Sequence, residues 1–229
     1  MASVGAGSLL VPVMAMALLS ATCLCTQVAC QNEVSLFCFV LVTPGHASKN
    51  PREAALLLAQ RHANAGIFGC EEWAIYSNTT HPGLDISHVE GPLAVPIGGL
   101  YRSLLNSRAF QKVWQNIFST GRFLLHDWVV KVDPDTAFSP RRLREVLKLD
   151  IQGPRRAVFL LNALMKVWGS IEVLSLAAVK AYASGAKRCE SEIDVSDKGE
   201  DWYLHLCMDL LGIEGVVVPR LFGMQSLTR

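Results

Sequence analysis

The chain has 229 residues, of which 51% are hydrophobic, and its formal charge at neutral pH is +1. This size and composition predict one globular domain with a substantial hydrophobic core. The balanced charge weighs against proteins that bind nucleic acid or an anionic surface, and the sequence contains no internal repeat or low-complexity tract.

The first 32 residues contain no charged side chain. Within them, residues 9–25 are mostly apolar. This run is short for a membrane span of about 20 residues and is typical of the apolar region of a signal peptide. No Lys or Arg occurs before Lys49, although both signal peptides and membrane anchors usually have a basic flank. We predict that residues 1–25 are a cleaved signal peptide, with a membrane anchor as the alternative.

Two further features bear on an oxidising, glycosylating compartment. Asn78-Thr79-Thr80 is a sequon, weak evidence by itself, that makes Asn78 a candidate glycosylation site. Among the seven cysteines, Cys38 and Cys70 lie on neighbouring predicted strands, and Cys189 precedes the predicted helix that carries Cys207. Either pair could form a disulfide, or its members could be small buried hydrophobic residues. No C-x-x-C or zinc-binding histidine spacing occurs.

The first third of the chain predicts a βαβ unit. Residues 34–43 are almost continuously apolar, as in a strand buried on both faces. A helix signal begins at Asn50-Pro51 and stops near Gly66, and strand character resumes over residues 67–76. Short connections of this kind predict parallel strands and a right-handed crossover.

A long loop and an amphipathic helix follow. Residues 81–100 are rich in proline and glycine and predict a surface loop. Residues 106–120 place Phe110, Val113 and Ile117 on one helical face, and Gly121 is expected to end the helix.

A predicted buried strand within residues 123–138 stops at two aspartates, Asp133 and Asp135, separated by Pro134. A central strand cannot continue through a proline, so both carboxylates are expected at its tip. Two such carboxylates can bind a hard cation, Mn²⁺ or Mg²⁺, which can hold a diphosphate. A D-x-D triplet is common by chance, and an acidic turn is ordinary. A helix signal follows, however, and strand–loop–helix edges of open α/β sheets bind ligands.

The rest of the chain alternates between strand and helix signals. Ser175 is a predicted N-cap, Gly185 a predicted helix end, and the acidic pair Glu200 and Asp201 opens a late helix, where the helix dipole alone would favour acids. The predicted elements are a helix at 139–149, a strand at 157–162, helices at 176–184 and 200–211 separated by a charged loop at 187–199, and a short strand at 216–218.

Several of these stretches together resemble inverting glycosyltransferases of the GT-A fold, in particular the β-1,3-galactosyltransferase and Fringe-like group. They are DWVVKVDPDTAF at 127–138, GSIEVLSLAAVKAY at 169–182 and GEDWYLHLCMDLLGI at 199–213, with IFGCEEWAIYSN at 67–78 fitting the nucleotide-binding half. The resemblance covers roughly residues 34–218. It implies an α/β fold: a single Rossmann-like GT-A domain whose central, mostly parallel sheet is flanked by helices.

The resemblance implies a luminal glycosyltransferase of the Golgi or endoplasmic reticulum, membrane-anchored or secreted. Its donor would be a UDP-sugar, and a hexose or N-acetylhexosamine would pass with inversion to a hydroxyl of a glycan or glycoprotein. Mn²⁺ or Mg²⁺ would bind mainly to Asp135, with Asp133 as a further ligand that orients the diphosphate or ribose.

By the same resemblance, four residues in the last third of the chain belong to the site. Asp201, or Glu200 beside it, would be the general base that removes the acceptor proton. Gly169 and Ser170 would line the acceptor or sugar pocket.

The chain departs from the group's pattern in two places. Pro134 stands where the group often has a third acid, and the chain ends eleven residues after Val218, where the group usually continues with a metal-binding histidine. One alternative is therefore an inactive, secreted GT-A-like binding module. Another is a Mg²⁺-dependent phosphatase of the haloacid dehalogenase type, in which the first aspartate is the nucleophile, although Ala137 occupies a position that is usually Thr or Val.

Overall fold

The computed structural model describes Met1 and residues 34–43, 52–93, 95–99, 102–150, 154–163 and 165–218. The chain divides into two units, Met1–Glu33 and Val34–Arg229, and all described residues except Met1 belong to the second. The predicted signal peptide or anchor therefore lies outside the described residues, apart from Met1. None of the helices in the described ranges is both long enough and apolar enough to cross a bilayer.

A seven-stranded sheet forms the centre of the second unit, in the order β3-β2-β1-β6-β8-β7-β9. Within it β8 alone runs against its neighbours, so the sheet is mostly parallel, as predicted. Two further short strands, β4 and β5, pair as an antiparallel hairpin. In chain order the strands are β1 Leu36–Leu41, β2 Glu72–Ser77, β3 Ile86–His88, β4 Ile97–Gly98, β5 Ser103–Leu104, β6 Trp128–Val132, β7 Val158–Leu161, β8 Ile171–Ser175 and β9 Glu214–Val217.

Helices cover both faces of the sheet, which makes a three-layer α/β fold. Apolar side chains of α2, α4 and α5 pack on one face, and those of α1 and α3 pack on the other. The helices in the described ranges are α1 Arg52–His62, α2 Ser107–Thr120, α3 Pro140–Asp150, α4 Leu176–Glu192 and α5 Glu200–Leu210.

The predicted βαβ unit is confirmed, because β1 and β2 are parallel neighbours joined through α1. All six residues of β1 are buried, which explains why its sequence is a continuous apolar run. The central strand β6 pairs with β1 on one side and with β8 on the other. All five of its residues are buried as well.

Strands β2 and β6 are both shorter than predicted, because each begins several residues later than expected. The chain forms 3₁₀ turns at Gly66–Gly69 and Arg122–Leu125, and β2 and β6 start only after them. The first turn begins at Gly66, whose φ of +60° is in the left-handed region that glycine adopts readily. Apolar turn residues such as Ile67 and Phe123 are buried, so they resemble strand residues in composition.

Gly185 does not end α4, which continues to Glu192. A Cβ at Gly185 would lie 2.3 Å from Leu211 Cδ2, so a larger residue there would require the Leu211 side chain to move. The loop predicted at 187–199 begins only after Glu192, and the predicted loop at 81–100 contains β3 and β4. The N-cap at Ser175 is confirmed, because its Oγ accepts a hydrogen bond from the Ala178 N–H at 3.1 Å.

Both cysteine pairs that the sequence allowed are disulfides. Cys38 in β1 is bonded to Cys70, and Cys189 in α4 is bonded to Cys207 in α5. The first bond joins the sheet to the segment before β2, and the second ties together the two helices. Such bonds stabilise a fold chiefly by restricting the unfolded chain.

Candidate functional site

The two predicted acidic segments and the predicted pocket glycine lie together at the carboxyl end of β6. Because β8 runs antiparallel to β6, the residues that precede β8 lie beside the residues that follow β6. The Asp133 N–H donates to the Ser170 carbonyl at 3.1 Å, which places Gly169 and Ser170 next to the aspartate turn. The start of α5, a third segment of the chain, also contacts this region through Glu200 and Asp201.

Lys131 is the centre of this cluster. It is fully buried in β6, and its Nζ lies 2.7 Å from Asp133 Oδ1 and contacts Glu200 Oε1 and the Gly169 carbonyl oxygen. The same Nζ lies 4.8 Å from the ring centroid of Phe110 in α2. Sequence reasoning missed Lys131, although a lysine inside the apolar run WVVKV was a signal, because a buried lysine requires partners for its charge.

The start of α5 is held by other segments of the chain. Its N-cap is Gly199, which has no capping side chain, and instead Asn106 Oδ1 accepts from the Glu200 N–H at 2.8 Å. Asp201 accepts two backbone hydrogen bonds, from Gly169 N–H at 3.2 Å and from Trp202 N–H at 2.8 Å. Asp201 is therefore fixed against the Gly169 turn while it stays partly exposed.

Gly169 leaves the space in which the cluster is packed. A Cβ at this position would lie 2.8 Å from Glu200 Oε1 and 3.5 Å from Lys131 Nζ. A larger residue would therefore push apart the buried ion pair. The structure shows this packing role for Gly169, and its place in a substrate pocket stays a prediction.

Asp135 is the outermost acid of the turn. It is exposed, whereas Pro134 before it is buried and its carbonyl accepts a hydrogen bond from Gln60 Nε2 at 3.2 Å. Burial is the main cause that raises the pKa of Asp133, and the nearby charge of Asp135 adds a small part of the increase. One carboxylate of the predicted pair thus faces Lys131, and the other faces solvent.

Glu172 is a further acid of the site that sequence reasoning missed. It lies opposite Lys131 in the β6–β8 register, and its Oε1 is 3.9 Å from Lys131 Nζ. It is buried, and neither of its carboxylate oxygens has a hydrogen-bond partner among the described residues. A glutamate between Ile171 and Val173 in an otherwise apolar strand was the available signal.

The cluster holds more negative than positive charge, and the pKa values of its acids respond to this. Burial raises the pKa of Asp133 and raises that of Glu172 strongly, and the attraction of Lys131 offsets only part of this effect. Burial and then the charge of Glu200 raise the pKa of Asp201. Burial by itself would lower the pKa of Lys131, but the surrounding carboxylates outweigh it and raise that pKa. Lys131 is therefore a permanent cation.

A divalent cation is compatible with the aspartate pair. The described residues contain no group of three or more His, Cys, Asp or Glu side chains arranged to hold a metal ion. Mg²⁺ and similar ions are, however, often bound by only one or two carboxylates together with substrate phosphates and water. Asp135 and Asp133 are such a pair, although one oxygen of Asp133 already bonds Lys131.

The candidate glycosylation site follows β2. Asn78 is partly exposed, and its Nδ2, the atom that would carry a glycan, donates to the Gly91 carbonyl at 3.0 Å. Modification would replace one of the two hydrogens on this nitrogen. Glycosylation of Asn78 stays a prediction.

No protein-family model and no curated protein sequence matches the chain. Among solved structures, a cytidylyltransferase from Leptospira borgpetersenii is similar at 12% identity and a TM-score of 0.44, over 82% of this chain and 76% of that one. A glycosyltransferase that acts in glycosylation of the major capsid of PBCV-1 is similar at 11% identity and a TM-score of 0.45, over 80% and 81% of the two chains. GlyE, a glycosyltransferase of Streptococcus pneumoniae, is similar at 13% identity and a TM-score of 0.41, over 81% and 45%. At these values the similarities carry no argument about what this chain binds.

Proposed function

We propose that this chain is a glycosyltransferase that moves a hexose or N-acetylhexosamine from a UDP-sugar to a hydroxyl of a glycan or glycoprotein, with inversion. One observation carries the proposal: Asp133, Gly169 and Asp201, from three separated segments, meet at the carboxyl end of β6. Open α/β sheets bind their ligands at this edge. Buried acids with raised pKa values are typical of functional sites.

Asp201 is our candidate for the general base. It is partly exposed, is oriented by two backbone N–H groups, and has a raised pKa, so it can accept a proton from an acceptor hydroxyl. Glu200 is buried and bound to Lys131, which suits it to positioning that lysine. Removal of the proton lets the acceptor oxygen attack the anomeric carbon as the bond to UDP breaks, and a single displacement inverts that carbon.

Asp135, with Asp133, is our candidate for holding Mn²⁺ or Mg²⁺. When bound, the cation would neutralise charge on the diphosphate as a Lewis acid. Lys131 holds Asp133 and the Gly169 carbonyl in place, so it keeps the donor side and the base side of the site in register.

A location in the secretory pathway, in the lumen of the Golgi or endoplasmic reticulum, belongs to the same proposal. Two disulfides support it, because such bonds persist in oxidising compartments. Whether residues 9–25 attach the protein to a membrane or are removed is tested by sequencing the N-terminus of the secreted or membrane-bound product.

The donor site is tested by calorimetric titration of the full-length chain with UDP, with and without Mn²⁺. We expect a roughly micromolar dissociation constant that requires Mn²⁺ and is lost in Asp135→Asn. Asp209→Asn is the matched control, since Asp209 is an exposed acid near the end of α5 and pairs with His205. Absence of UDP binding in the folded protein would refute the transferase and favour a binding module.

The base is tested by transfer activity of Asp201→Asn. We expect the rate to fall by about 100-fold or more, because a positioned base contributes about 10²–10⁴-fold, while UDP affinity stays unchanged. Hydrolysis of p-nitrophenyl phosphate that depends on Asp133, without sugar transfer, would instead support the phosphatase alternative.

A further inference from the structure

The tryptophans of this chain fall into two groups. The chain has five, and all lie in the described residues. Trp114 and Trp128 are buried in the core, and Trp73 is half-buried. Trp168 and Trp202 are exposed, with 56% and 38% of their surface accessible. Large exposed aromatic side chains lose the free energy that burial would provide, so their position is informative.

Both exposed tryptophans flank one hydrogen bond of the candidate site. This bond joins the Gly169 N–H to Asp201 Oδ2 at 3.2 Å. Trp168 precedes Gly169, and Trp202 follows Asp201. The rings are therefore attached to the two ends of the contact that positions our candidate base.

Two hydrogen bonds hold the backbone that carries Trp168. Its N–H donates to Asn162 Oδ1 at 2.7 Å, and its carbonyl accepts from Asn162 Nδ2 at 3.0 Å. Asn162 is itself buried at the end of β7. Because this backbone is already ordered, binding of a ligand to Trp168 would cost little further backbone entropy.

A short turn extends the same surface. Ala163 and Lys166 pair as an antiparallel bridge, and Met165 between them is 70% exposed. Lys166 Nζ lies 5.1 Å from the ring centroid of Trp202, which brings this turn against the start of α5. An apolar surface thus borders Asp201 from two separate segments.

We propose that Trp168 and Trp202 form an aromatic platform that binds a pyranose ring of a neutral saccharide acceptor, with a hydroxyl of that ring directed at Asp201. This inference rests on the proposed function. A pyranose has an apolar C–H face that packs on an aromatic ring, and hydroxyl edges that need polar partners. Tryptophan rings beside a carboxylate and backbone groups match that combination.

The charged residues near Trp168 and Trp202 favour some classes of ligand over others. The acids Asp133, Asp135, Glu200 and Asp201 outnumber two nearby cations, Lys131, which is engaged with Asp133 and Glu200, and Lys166, which lies over the Trp202 ring. A nucleic acid or an anionic lipid surface would be repelled by these acids. A neutral sugar would not be repelled, and its hydroxyls could donate to the carboxylate.

The test uses the full-length chain and an array of neutral glycans, with methyl β-D-galactopyranoside and methyl N-acetyl-β-D-glucosaminide as soluble probes in saturation-transfer NMR. We expect the wild-type chain to bind at least one of these saccharides. Trp168→Ala and Trp202→Ala should each weaken that binding by about tenfold or more, since tryptophans dominate the contacts of binding sites. Their affinity for UDP in Mn²⁺ should be unchanged.

Two controls separate recognition from folding. Leu125→Ala removes an apolar side chain that is more exposed than either tryptophan, 79% accessible, at the opposite end of β6 and should leave saccharide binding unchanged. Trp168→Phe keeps an aromatic face and should recover most of the affinity lost in Trp168→Ala. Cooperative thermal unfolding should show that every variant is folded, with a midpoint close to wild type for Trp168→Phe and Leu125→Ala and a lower one for Trp202→Ala, which loses the contact with Lys166.

The outcomes distinguish this inference from the proposed function. If the wild-type chain binds UDP but no neutral saccharide, or if Leu125→Ala weakens saccharide binding as much as the tryptophan variants, the platform is overturned and the donor site stands. If saccharides bind through both tryptophans while UDP does not bind, the platform stands and the transferase fails.

Discussion

The two ends of strand β6 carry the same kinds of charged residues but arrange them in opposite ways. At its amino end, Glu72 is bound by Arg122 at 2.5 Å and by His126 at 2.8 Å. Asp127 nearby accepts from the Ser35 N–H at 2.9 Å. Burial by itself would raise the pKa of Glu72, but the bonds from His126 and Arg122 outweigh it and lower that pKa.

At the carboxyl end, one buried lysine faces several acids. Lys131 bonds Asp133 and Glu200 and lies 3.9 Å from Glu172. The pKa of Glu172 is raised well above its usual value, first of all by burial. At the amino end, Glu72 is thus matched by Arg122 and His126 and Asp127 by hydrogen bonds from Ser35, while the buried acids at the carboxyl end outnumber their one buried cation, Lys131. Buried acids with raised pKa values are frequent at functional sites, so the carboxyl end remains our candidate site.

The largest effect is expected from removal of the central cation. Lys131→Met should lower the free energy of unfolding by about 3–5 kcal/mol at neutral pH, because it leaves buried carboxylates without a partner. The matched change at the amino end, Arg122→Met, should cost about 1 kcal/mol or less, since Arg122 is partly exposed. Urea unfolding measures both, and equal costs would contradict the contrast between the two ends.

The pH dependence of stability should have opposite signs at the two ends. Glu172 has a pKa above the usual 4.5, so the folded state holds its proton longer than the unfolded state. The stability that this proton provides is present below about pH 4.5 and is lost as pH rises toward the raised value. Glu72 has a lowered pKa, so its contribution is present above 4.5 and is lost as pH falls through the folded value.

Replacement of each glutamate by glutamine tests these signs. Glu172→Gln should lose less stability than the wild-type chain between pH 5 and pH 8, by at most about 1.4 kcal/mol for each pH unit in that window. Glu72→Gln should be less stable than the wild-type chain near pH 7 and should approach it under acidic conditions. Urea unfolding across this range, with EDTA present, measures both. Parallel curves for Glu172→Gln and the wild-type chain would show that Glu172 is ionised in the fold.

The smallest effect on the free energy of unfolding is expected from two polar side chains, one at each end of β6, that accept hydrogen bonds from backbone N–H groups. Asn106→Ala removes the acceptor for the Glu200 N–H, and Ser35→Ala removes the hydroxyl that accepts from the Asp127 N–H at 2.9 Å and donates to Asp127 Oδ2 at 3.1 Å. Each should cost about 1 kcal/mol, the usual value of such a bond. Only Asn106→Ala should also reduce transfer activity, because it loosens the start of α5. Equal transfer activity of the two variants would show that the position of the start of α5 does not affect the reaction.

The segments that contain a local signal could be predicted from sequence. The apolar run of β1, the amphipathic face of α2 with Gly121 at its end, and the Ser175 cap depend on neighbouring residues only, and all three are found. The stop of β6 before Asp133 belongs to the same class, because Pro134 cannot donate a hydrogen bond within a sheet. Membership in the Fringe-like group stays a prediction.

Other features were decided by contacts between distant segments. Gly185 has the sequence features of a helix end, but it lies within α4, where the side chain of Leu211, 26 positions further along the chain, packs against it. Lys131 and Glu172 look like interruptions in two apolar strands until antiparallel pairing places them opposite each other. Sequence determined that Asp133, Asp135, Glu200 and Asp201 were candidates, since acids at strand and helix ends are local patterns. That they surround one buried cation follows from the order of the strands, because charges interact through space rather than along the chain.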